Sequence, residues 1–276
     1  MAKSDTVFAG SIPEIYDTYL VPLIFEPYAT DLARRVAACA PKSVLETAAG
    51  SGVVTRALAP LLAPDAQLFV TDLNQPMLDR AIERQGADKR IAWQQADALD
   101  LPFPDGSFDV VYCQFGVMFF TDRVAAYREA LRVLKPGGYF FFNAWDRLEM
   151  NDFARTVTDV VNAMFVLDPP RFLPRTPHGY HDIKRIEADL HTACFSDVRI
   201  ETMAQVSTAP SPRHPAIAYC QGTPLRNEIE ARGGTRLEEV TTHAAEGIAR
   251  TYGKGAVSGK IQAHIVTARG VPTQAG

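Results

Sequence analysis

Cysteine is scarce in this chain of 276 residues, and its few cysteines are far apart in sequence. They are Cys39, Cys113, Cys194 and Cys220. None forms a C-x-x-C pair, so neither a disulfide framework nor a common type of zinc site is expected. We predict four reduced thiols in or near the core. His178 and His181 have a spacing that metal sites use, but no cysteine or carboxylate ligand pattern accompanies them, so no metal is predicted.

Long apolar runs and an excess of positive charge are also missing. No stretch approaches the ~18 apolar residues of a membrane span, which argues against integral membrane contact. Lys and Arg number 28 against 32 Asp and Glu, for a formal net charge of −4. The positive residues are scattered, so a general electrostatic grip on nucleic acid is not expected. Residues 1–12 lack an apolar signal core, and a cytoplasmic location is predicted.

The chain does contain strand-like stretches that alternate with helical ones. The strands predicted in the first half cover 43–48, 67–71, 91–95, 108–114 and 139–143. Two more strands are predicted at 198–203 and 261–268. This alternation indicates a Rossmann-like α/β fold, with a mostly parallel seven-stranded sheet and helices on both faces. The last strand is predicted to be antiparallel.

The domain prediction is one domain over residues 1–276, built from five segments. They are N-terminal helices (1–40), a cofactor-binding core (41–145), the rest of the core with a proline-rich loop (146–209), a helical lid insertion (210–258), and the last strand with a tail (259–276). The insertion has helical faces that either shape a pocket for a buried small acceptor or form a homodimer contact.

The most informative stretch runs from Val44 to Gly52. An apolar strand ends in Glu46, a turn of small residues follows, and a helix begins at Val53. Small residues let backbone approach a ligand closely, and the turn aims the free N–H groups of the helix above the strand. A dinucleotide motif, G-x-G-x-x-G, would need a third glycine where Thr55 stands, which argues against a nicotinamide cofactor.

Polar residues also follow three other predicted strands. Asp72 can accept hydrogen bonds from ribose hydroxyls, or it can cap the next helix. Asp97 can accept from an adenine amino group while the Ala98 N–H donates to the ring, or it can be a turn aspartate. Gln114 and Phe115 end a central strand, and ligands of open α/β sheets bind outside that edge.

With these residues, the chain resembles the class I S-adenosylmethionine-dependent methyltransferases, especially the small-molecule branch similar to ubiquinone/menaquinone-biosynthesis enzymes. The matching motifs are Val44–Gly52, Thr71–Leu73 with Pro76–Leu78, Ala96–Ala98 with Leu101–Phe103, Ser107–Asp109, and Leu134–Gly138. They occur in the family's order and spacing over roughly residues 40–145. One departure is Ala48, which occupies the first glycine position of the family's G-x-G-x-G turn.

The resemblance implies that the cofactor is S-adenosylmethionine and the product S-adenosylhomocysteine. It implies that the turn from Glu46 through Gly50 to Gly52 surrounds the methionine part, with the Ala48 backbone at its amino group. Tyr19 either donates to the methionine carboxylate or belongs to the core. The other implied contacts are Asp72 with the ribose, Leu73 and Met77 with the adenine face, Asp97 and Ala98 with the adenine edge, and Gln114 with Phe115 at the methionine end.

The function predicted from this resemblance is direct displacement of a methyl group onto a small organic molecule. The protein would mainly align the reactants and exclude water. If the acceptor is a hydroxyl, the candidates for a catalytic base are His178, His181 and Tyr19. Two alternatives stay open: a lipid or quinone-like acceptor, and a cofactor-binding regulatory protein without turnover. An NAD-type oxidoreductase is opposed by Thr55.

Overall fold

The computed structural model describes residues 5, 8, 10–233 and 236–270, and this part of the chain contains a seven-stranded sheet. The strands are β1 (Ser43–Glu46), β2 (Gln67–Asp72), β3 (Ile91–Gln95), β4 (Phe108–Gln114), β5 (Leu134–Trp145), β6 (Phe195–Ala209) and β7 (Val257–Gly270). Their order is β3-β2-β1-β4-β5-β7-β6. Strands β1 to β5 pair in parallel, whereas β7 is antiparallel. The predicted Rossmann-like fold is confirmed.

The helices of the described residues alternate with these strands. They are α1 (Ile12–Ile15), α2 (Glu26–Ala38), α3 (Val53–Leu58), α4 (Gln75–Gln85), α5 (Arg123–Val133), α6 (Asp152–Met164), α7 (Phe172–Arg175), α8 (Ile183–Thr192), α9 (Arg213–Gln221), α10 (Leu225–Ala231) and α11 (Leu237–Tyr252). A π-helix covers Tyr16–Phe25, and short 3₁₀ turns cover Ala59–Leu61, Val117–Phe119 and Leu148–Met150. None of the helices described is long and apolar enough to cross a membrane.

The chain divides into two compact units. A unit rich in helices, called here the helical unit, takes the described residues of Met1–Glu26 together with Trp145–Tyr180 and Met203–Ala263. The other, called the sheet unit, takes Pro27–Ala144, His181–Thr202 and the described residues of His264–Gly276. The single domain and its lid insertion stay predictions. Every predicted cofactor contact except Tyr19 lies in the sheet unit.

The sheet unit buries apolar side chains on both faces of its strands. On one face, Leu32 of α2 and Val54 of α3 join a buried cluster with Tyr112 of β4 and other strand residues. On the other face, the ring of Tyr127 in α5 stacks on Phe142 of β5, with 5.4 Å between the ring centroids. Because neighbouring residues of a strand point to opposite faces, β4 and β5 carry nearly continuous apolar sequence.

Asp109 of β4 connects the amino ends of β1, β4 and β5 in the sheet unit. Its Oδ2 accepts hydrogen bonds from the backbone N–H groups of Lys42, at 2.9 Å, and Ser43, at 2.8 Å. Its Oδ1 lies 2.8 Å from the ammonium Nζ of Lys135. The motif residue Asp109 therefore has a structural role at one edge of the sheet, which leaves the opposite, carboxyl edge for a ligand.

The first helical segment differs from its prediction. Residues 13–40 were expected to form two helices punctuated by Pro22 and Pro27. Instead, α1, the π-helix and α2 follow one another without interruption. Pro27 is the second residue of α2 and directly follows the π-helix, so the continuous helix lacks one backbone hydrogen bond at this residue. Pro22 lies inside the π-helix, so the helix continues past a residue that has no backbone N–H to donate.

Strand β5 begins five residues earlier than predicted and includes Pro136 and Gly138. The register to β4 jumps from Phe108 opposite Leu134 to Val110 opposite Tyr139, so an irregularity absorbs the additional residues. Strand β6 is also longer than predicted. It lies at the edge of the sheet and is largely polar, so its ends carry no clear apolar signal.

The cysteine prediction is corrected at one position. Cys113 and Cys220 are buried and Cys39 is half-buried, as expected of thiols in or near a core. Cys194 is exposed instead. It has a φ of +71°, in the short connection between α8 and β6, where the chain turns at the surface.

Candidate functional site

The turn after β1 has an unusual backbone. Ala48, Gly50 and Gly52 all have left-handed φ angles, of +52°, +58° and +76° respectively. Glycine adopts this region without steric cost, whereas alanine loses roughly 1–2 kcal/mol there. The family departure at Ala48 is therefore a strained position, and strain of this kind persists where surrounding structure enforces it. The N–H of Ala49 donates to the Thr71 carbonyl at 3.0 Å, which ties the turn to β2.

Asp72, the last residue of β2, holds this turn from the other side. Its Oδ2 accepts from the Gly50 N–H at 2.8 Å, and its Oδ1 accepts from the Asn74 N–H at 2.8 Å. The side chain is only 6% exposed. Burial raises the pKa of Asp72, and the two N–H groups act against that shift. Each oxygen has a second lone pair, so both can accept from the hydroxyls of a ribose as well.

Glu46 is buried at the end of β1 and is neutralised by its surroundings. Its Oε2 accepts from the hydroxyl of Tyr112, at 2.7 Å, and from the hydroxyl of Thr55. Burial raises the pKa of Glu46 to about 7, while these two hydrogen bonds lower it. The threonine that stands in place of a third glycine is therefore a partner of the motif's acidic residue, which sequence reasoning had not found.

The titration of Glu46 should make the cofactor-free protein less stable as pH rises. A carboxyl whose pKa is 4.5 when unfolded and about 7 when folded binds its proton more tightly in the folded state. Its contribution is complete below pH 4.5 and is lost as pH rises through 7. Urea unfolding measures the free energy of unfolding of wild type and of Glu46→Gln at each pH. We expect the value for Glu46→Gln minus that for wild type to rise by about 2–3 kcal/mol from pH 5 to pH 8. A constant difference across that range would contradict the raised pKa.

The connection after β4 packs closely against the same turn. A Cβ built on Gly116 would lie 2.5 Å from the Ala48 Cβ and 2.6 Å from the Cys113 Sγ, so only glycine fits. Phe115 has a φ of +51°, and its ring meets the edge of Tyr28 at 5.4 Å between centroids. Sequence reasoning missed Gly116, although a glycine two residues after a buried strand is a signal for such an approach.

The predicted adenine contacts lie at the ends of β2 and β3. Leu73 is 47% exposed, whereas Met77 is buried. Asp97 is exposed, and its Oδ1 accepts from the Leu99 N–H at 2.9 Å, so it also serves as the turn aspartate of the alternative hypothesis. Ala98 beside it is half-buried. These contacts with a cofactor stay predictions.

Gln114 and Asn143 lie opposite each other at the carboxyl ends of β4 and β5. Gln114 is half-buried, whereas Asn143 is fully buried. Among the described residues, neither polar atom of the Asn143 side chain has a hydrogen-bond partner. Asn143 was not among the predicted site residues, because a lone asparagine in an apolar strand carries no motif.

The three candidates for a catalytic base are distributed over both units. In the helical unit, His178 is buried and its Nδ1 donates to the Asp146 carbonyl at 2.8 Å. In the same unit, the Tyr19 ring lies 4.9 Å from the ring of His214. His181 belongs to the sheet unit. Within the described ranges, no group of three or more His, Cys, Asp or Glu is placed to hold a metal ion.

The turn fits a nucleoside cofactor that carries an amino-acid end. Asp72 has carboxylate oxygens that can accept from ribose hydroxyls, and the buried Ser51 hydroxyl has no partner in the described part of the chain. A Cβ on Gly52 would lie 2.9 Å from the Ala81 Cβ, so the backbone of the turn is held close to α4. The fold is Rossmann-like, and the turn forms a candidate nucleoside site at the carboxyl ends of β1, β2 and β4.

Comparison with known proteins identifies the particular class. Residues 45–142 match the family model described as "Methyltransferase domain". This match confirms the predicted resemblance to S-adenosylmethionine-dependent methyltransferases.

The curated relatives carry the name ubiquinone/menaquinone biosynthesis C-methyltransferase UbiE. The protein of Ectopseudomonas mendocina is 42% identical over 99 residues, which is 34% of this chain and 38% of the relative. That of Proteus mirabilis is 33% identical over 135 residues, which is 48% of this chain and 51% of the relative. The chain thus spans about two fifths to one half of the length of the relatives that it matches.

Solved structures of similar fold cover nearly the whole chain at low identity. YcgJ of Bacillus subtilis has a TM-score of 0.56 and 20% identity, covering 89% of this chain and 99% of that one. The [4+2]-cyclase SpnF has a TM-score of 0.57 and 18% identity, covering 90% and 81%. At such identities the likeness concerns the fold alone, and a cyclase among the neighbours illustrates that a fold does not determine a reaction.

Proposed function

We propose that the protein is an S-adenosylmethionine-dependent methyltransferase that acts on a small organic molecule. The observation that carries the proposal is the buried Asp72 carboxylate, which holds Gly50 and Asn74 within a methyltransferase domain. When bound, S-adenosylmethionine supplies a methyl group already activated by its sulfonium.

The residues of the turn have three tasks in this proposal. Asp72 binds the ribose hydroxyls, and its bond to the Gly50 N–H sets the turn at the same time. Ala48 presents its backbone to the amino group of the methionine part. Glu46 belongs to the part of the turn that surrounds the methionine part, and its bonds to Tyr112 and Thr55 position the turn.

Leu73, Met77, Asp97 and Ala98 are the proposed adenine contacts, and Gln114 with Phe115 forms the methionine end. Leu73 supports this assignment, because an exposed leucine beside Asp72 offers apolar surface to a base. His178 is the preferred catalytic base for a hydroxyl acceptor, because its bond to the Asp146 carbonyl fixes the orientation of a buried imidazole ring. His181 and Tyr19 remain the other candidates.

A quinone-like acceptor is the second candidate for the substrate. The names of the curated relatives support it, since they describe C-methyltransferases of ubiquinone and menaquinone biosynthesis. The proposal also includes a cytoplasmic location, a lid role for residues 210–258 and a homodimer. Light scattering coupled to size-exclusion chromatography measures the oligomeric state directly.

Calorimetry with three ligands tests the proposed cofactor. We expect S-adenosylmethionine and S-adenosylhomocysteine to bind with Kd values below ~1 mM, and NAD to bind more weakly by at least about tenfold. Absence of binding by both sulfur compounds would refute the methyltransferase proposal. Tight binding of both, without transfer of labelled methyl to any acceptor tried, would favour the regulatory alternative.

A further inference from the structure

Asn143 has a buried amide for which the described part of the chain provides no partner. The residue is 0% exposed, and neither Nδ2 nor Oδ1 makes a hydrogen bond to a described residue. Its backbone carbonyl accepts from the Phe115 N–H at 3.2 Å, so the missing partners concern the side chain alone. Buried amides are nearly always hydrogen-bonded, because leaving one desolvated and unmatched is costly. An exception at the carboxyl edge of a parallel sheet indicates a ligand.

The strand register places Asn143 on a definite face of the sheet. It is opposite Gln114, just as Phe141 is opposite Tyr112. Residues two apart in a strand share a face, so the Asn143 side chain projects to the same side as Tyr112. On that side the Tyr112 hydroxyl donates to Glu46, at the base of the turn. The amide of Asn143 is therefore on the face that carries the candidate cofactor turn.

The order of the strands places Asn143 beyond the methionine end of the cofactor. Asp97 follows β3, Asp72 ends β2, Glu46 ends β1 and Gln114 ends β4. In the proposed function this order runs from adenine through ribose to methionine. Neighbouring strands are about 4.8 Å apart, so β5 is roughly 10 Å beyond β1, where the acceptor has to approach the methyl group.

We propose that Asn143 is a positioning residue of the acceptor subsite, where its amide holds a neutral hydroxyl group of the methyl acceptor. This inference rests on the proposed methyltransferase function. A primary amide offers both donors and an acceptor, and a hydroxyl group also offers both. A carboxylate can only accept and an ammonium can only donate, so either would leave one of the two amide atoms unmatched.

The first part of the test compares Asn143→Leu with wild type in the absence of an acceptor. Leucine has a similar volume and removes the unmatched polar atoms, so its melting temperature should equal or exceed that of wild type. The affinity for S-adenosylhomocysteine should stay within twofold. Asn162→Leu, at an exposed position of α6, is the matched control for the same chemical change. If the leucine variant does not fold, Asn143→Ala replaces it in the second part.

The second part titrates hydroquinone and 1,4-dimethoxybenzene into the protein loaded with S-adenosylhomocysteine. Wild type and Asn162→Leu should bind hydroquinone at least tenfold more tightly than its dimethyl ether. The Asn143 variant should lose that preference and bind both compounds with similar affinity. A pair of probes that differ only in their hydroxyl groups isolates the interaction assigned to the amide.

Three results would overturn the inference. An Asn143→Leu variant that folds but melts far below wild type would mean that the amide has a structural partner. A loss of S-adenosylhomocysteine affinity, with unchanged affinity for 5′-methylthioadenosine, would assign the amide to the methionine end. Equal binding of the two probes by wild type would remove the hydroxyl preference. Failure of the proposed function is seen separately, because wild type would then not bind S-adenosylhomocysteine at all.

Discussion

Replacement of Asp72 by alanine is expected to weaken S-adenosylhomocysteine binding by about 1–3 kcal/mol, or roughly 5- to 150-fold in Kd. Two losses add in this variant. The ribose hydroxyls lose a charged acceptor, and the N–H groups of Gly50 and Asn74 lose the carboxylate that they share. The turn is then free to relax from its left-handed backbone, which removes part of the preorganisation of the site. Calorimetry on the purified variant measures the effect.

A second ligand pair separates the ribose contact from a general loosening of the turn. Wild type should bind adenosine more tightly than 2′,3′-dideoxyadenosine, and Asp72→Ala should bind both equally. Asp79→Ala, at an exposed position of α4, changes the same residue type without touching the turn and should match wild type. If Asp72→Ala kept the wild-type preference for adenosine, the ribose would have to lie elsewhere.

Strand and helix boundaries were predictable where sequence pattern and burial agree. Strand β4 occupies Phe108–Gln114, as predicted, and helix α4 occupies Gln75–Gln85, where the sequence marks both helix ends. In β4, a nearly unbroken apolar run indicates a strand buried on both faces. In α4, a proline in the first turn and a glycine after the last residue mark both ends. Where a proline occurs inside a regular element, as Pro22 and Pro136 do, the local rule predicted a break that tertiary contacts overrode.

Of the candidate site, only the residues at the ends of strands could be predicted from the sequence. Glu46 and Asp72 were found because an acidic residue that ends a buried strand has few structural explanations. The partners of Glu46 were not, because the bond to Thr55 depends on how α3 returns over β1, and the bond to Tyr112 depends on strand order. Asn143 needed the same tertiary knowledge. Its significance lies in the absence of partners among the described residues, which no sequence pattern encodes.

The largest effect on stability is expected from Gly52→Ala. Gly52 has a φ of +76°, and a Cβ there would lie 2.9 Å from the Cβ of Ala81 in α4. The left-handed backbone costs alanine about 1–2 kcal/mol, and overpacking adds about 1–3 kcal/mol. We therefore expect the free energy of unfolding to fall by about 2–5 kcal/mol, measured by urea denaturation.

Gly106→Ala separates the two causes of this loss. Gly106 also has a positive φ, of +64°, but a Cβ there would meet nothing within 4 Å. Gly106→Ala should lose only the backbone cost of about 1–2 kcal/mol. Adding Ala81→Gly to Gly52→Ala removes the Cβ that the new methyl group would meet. The double variant should therefore lose less free energy of unfolding than the sum of the losses of the two single variants. Equal destabilisation by Gly52→Ala and Gly106→Ala would mean that α4 moves aside for the new methyl group. The close packing of the turn on α4 would then not explain why position 52 is a glycine.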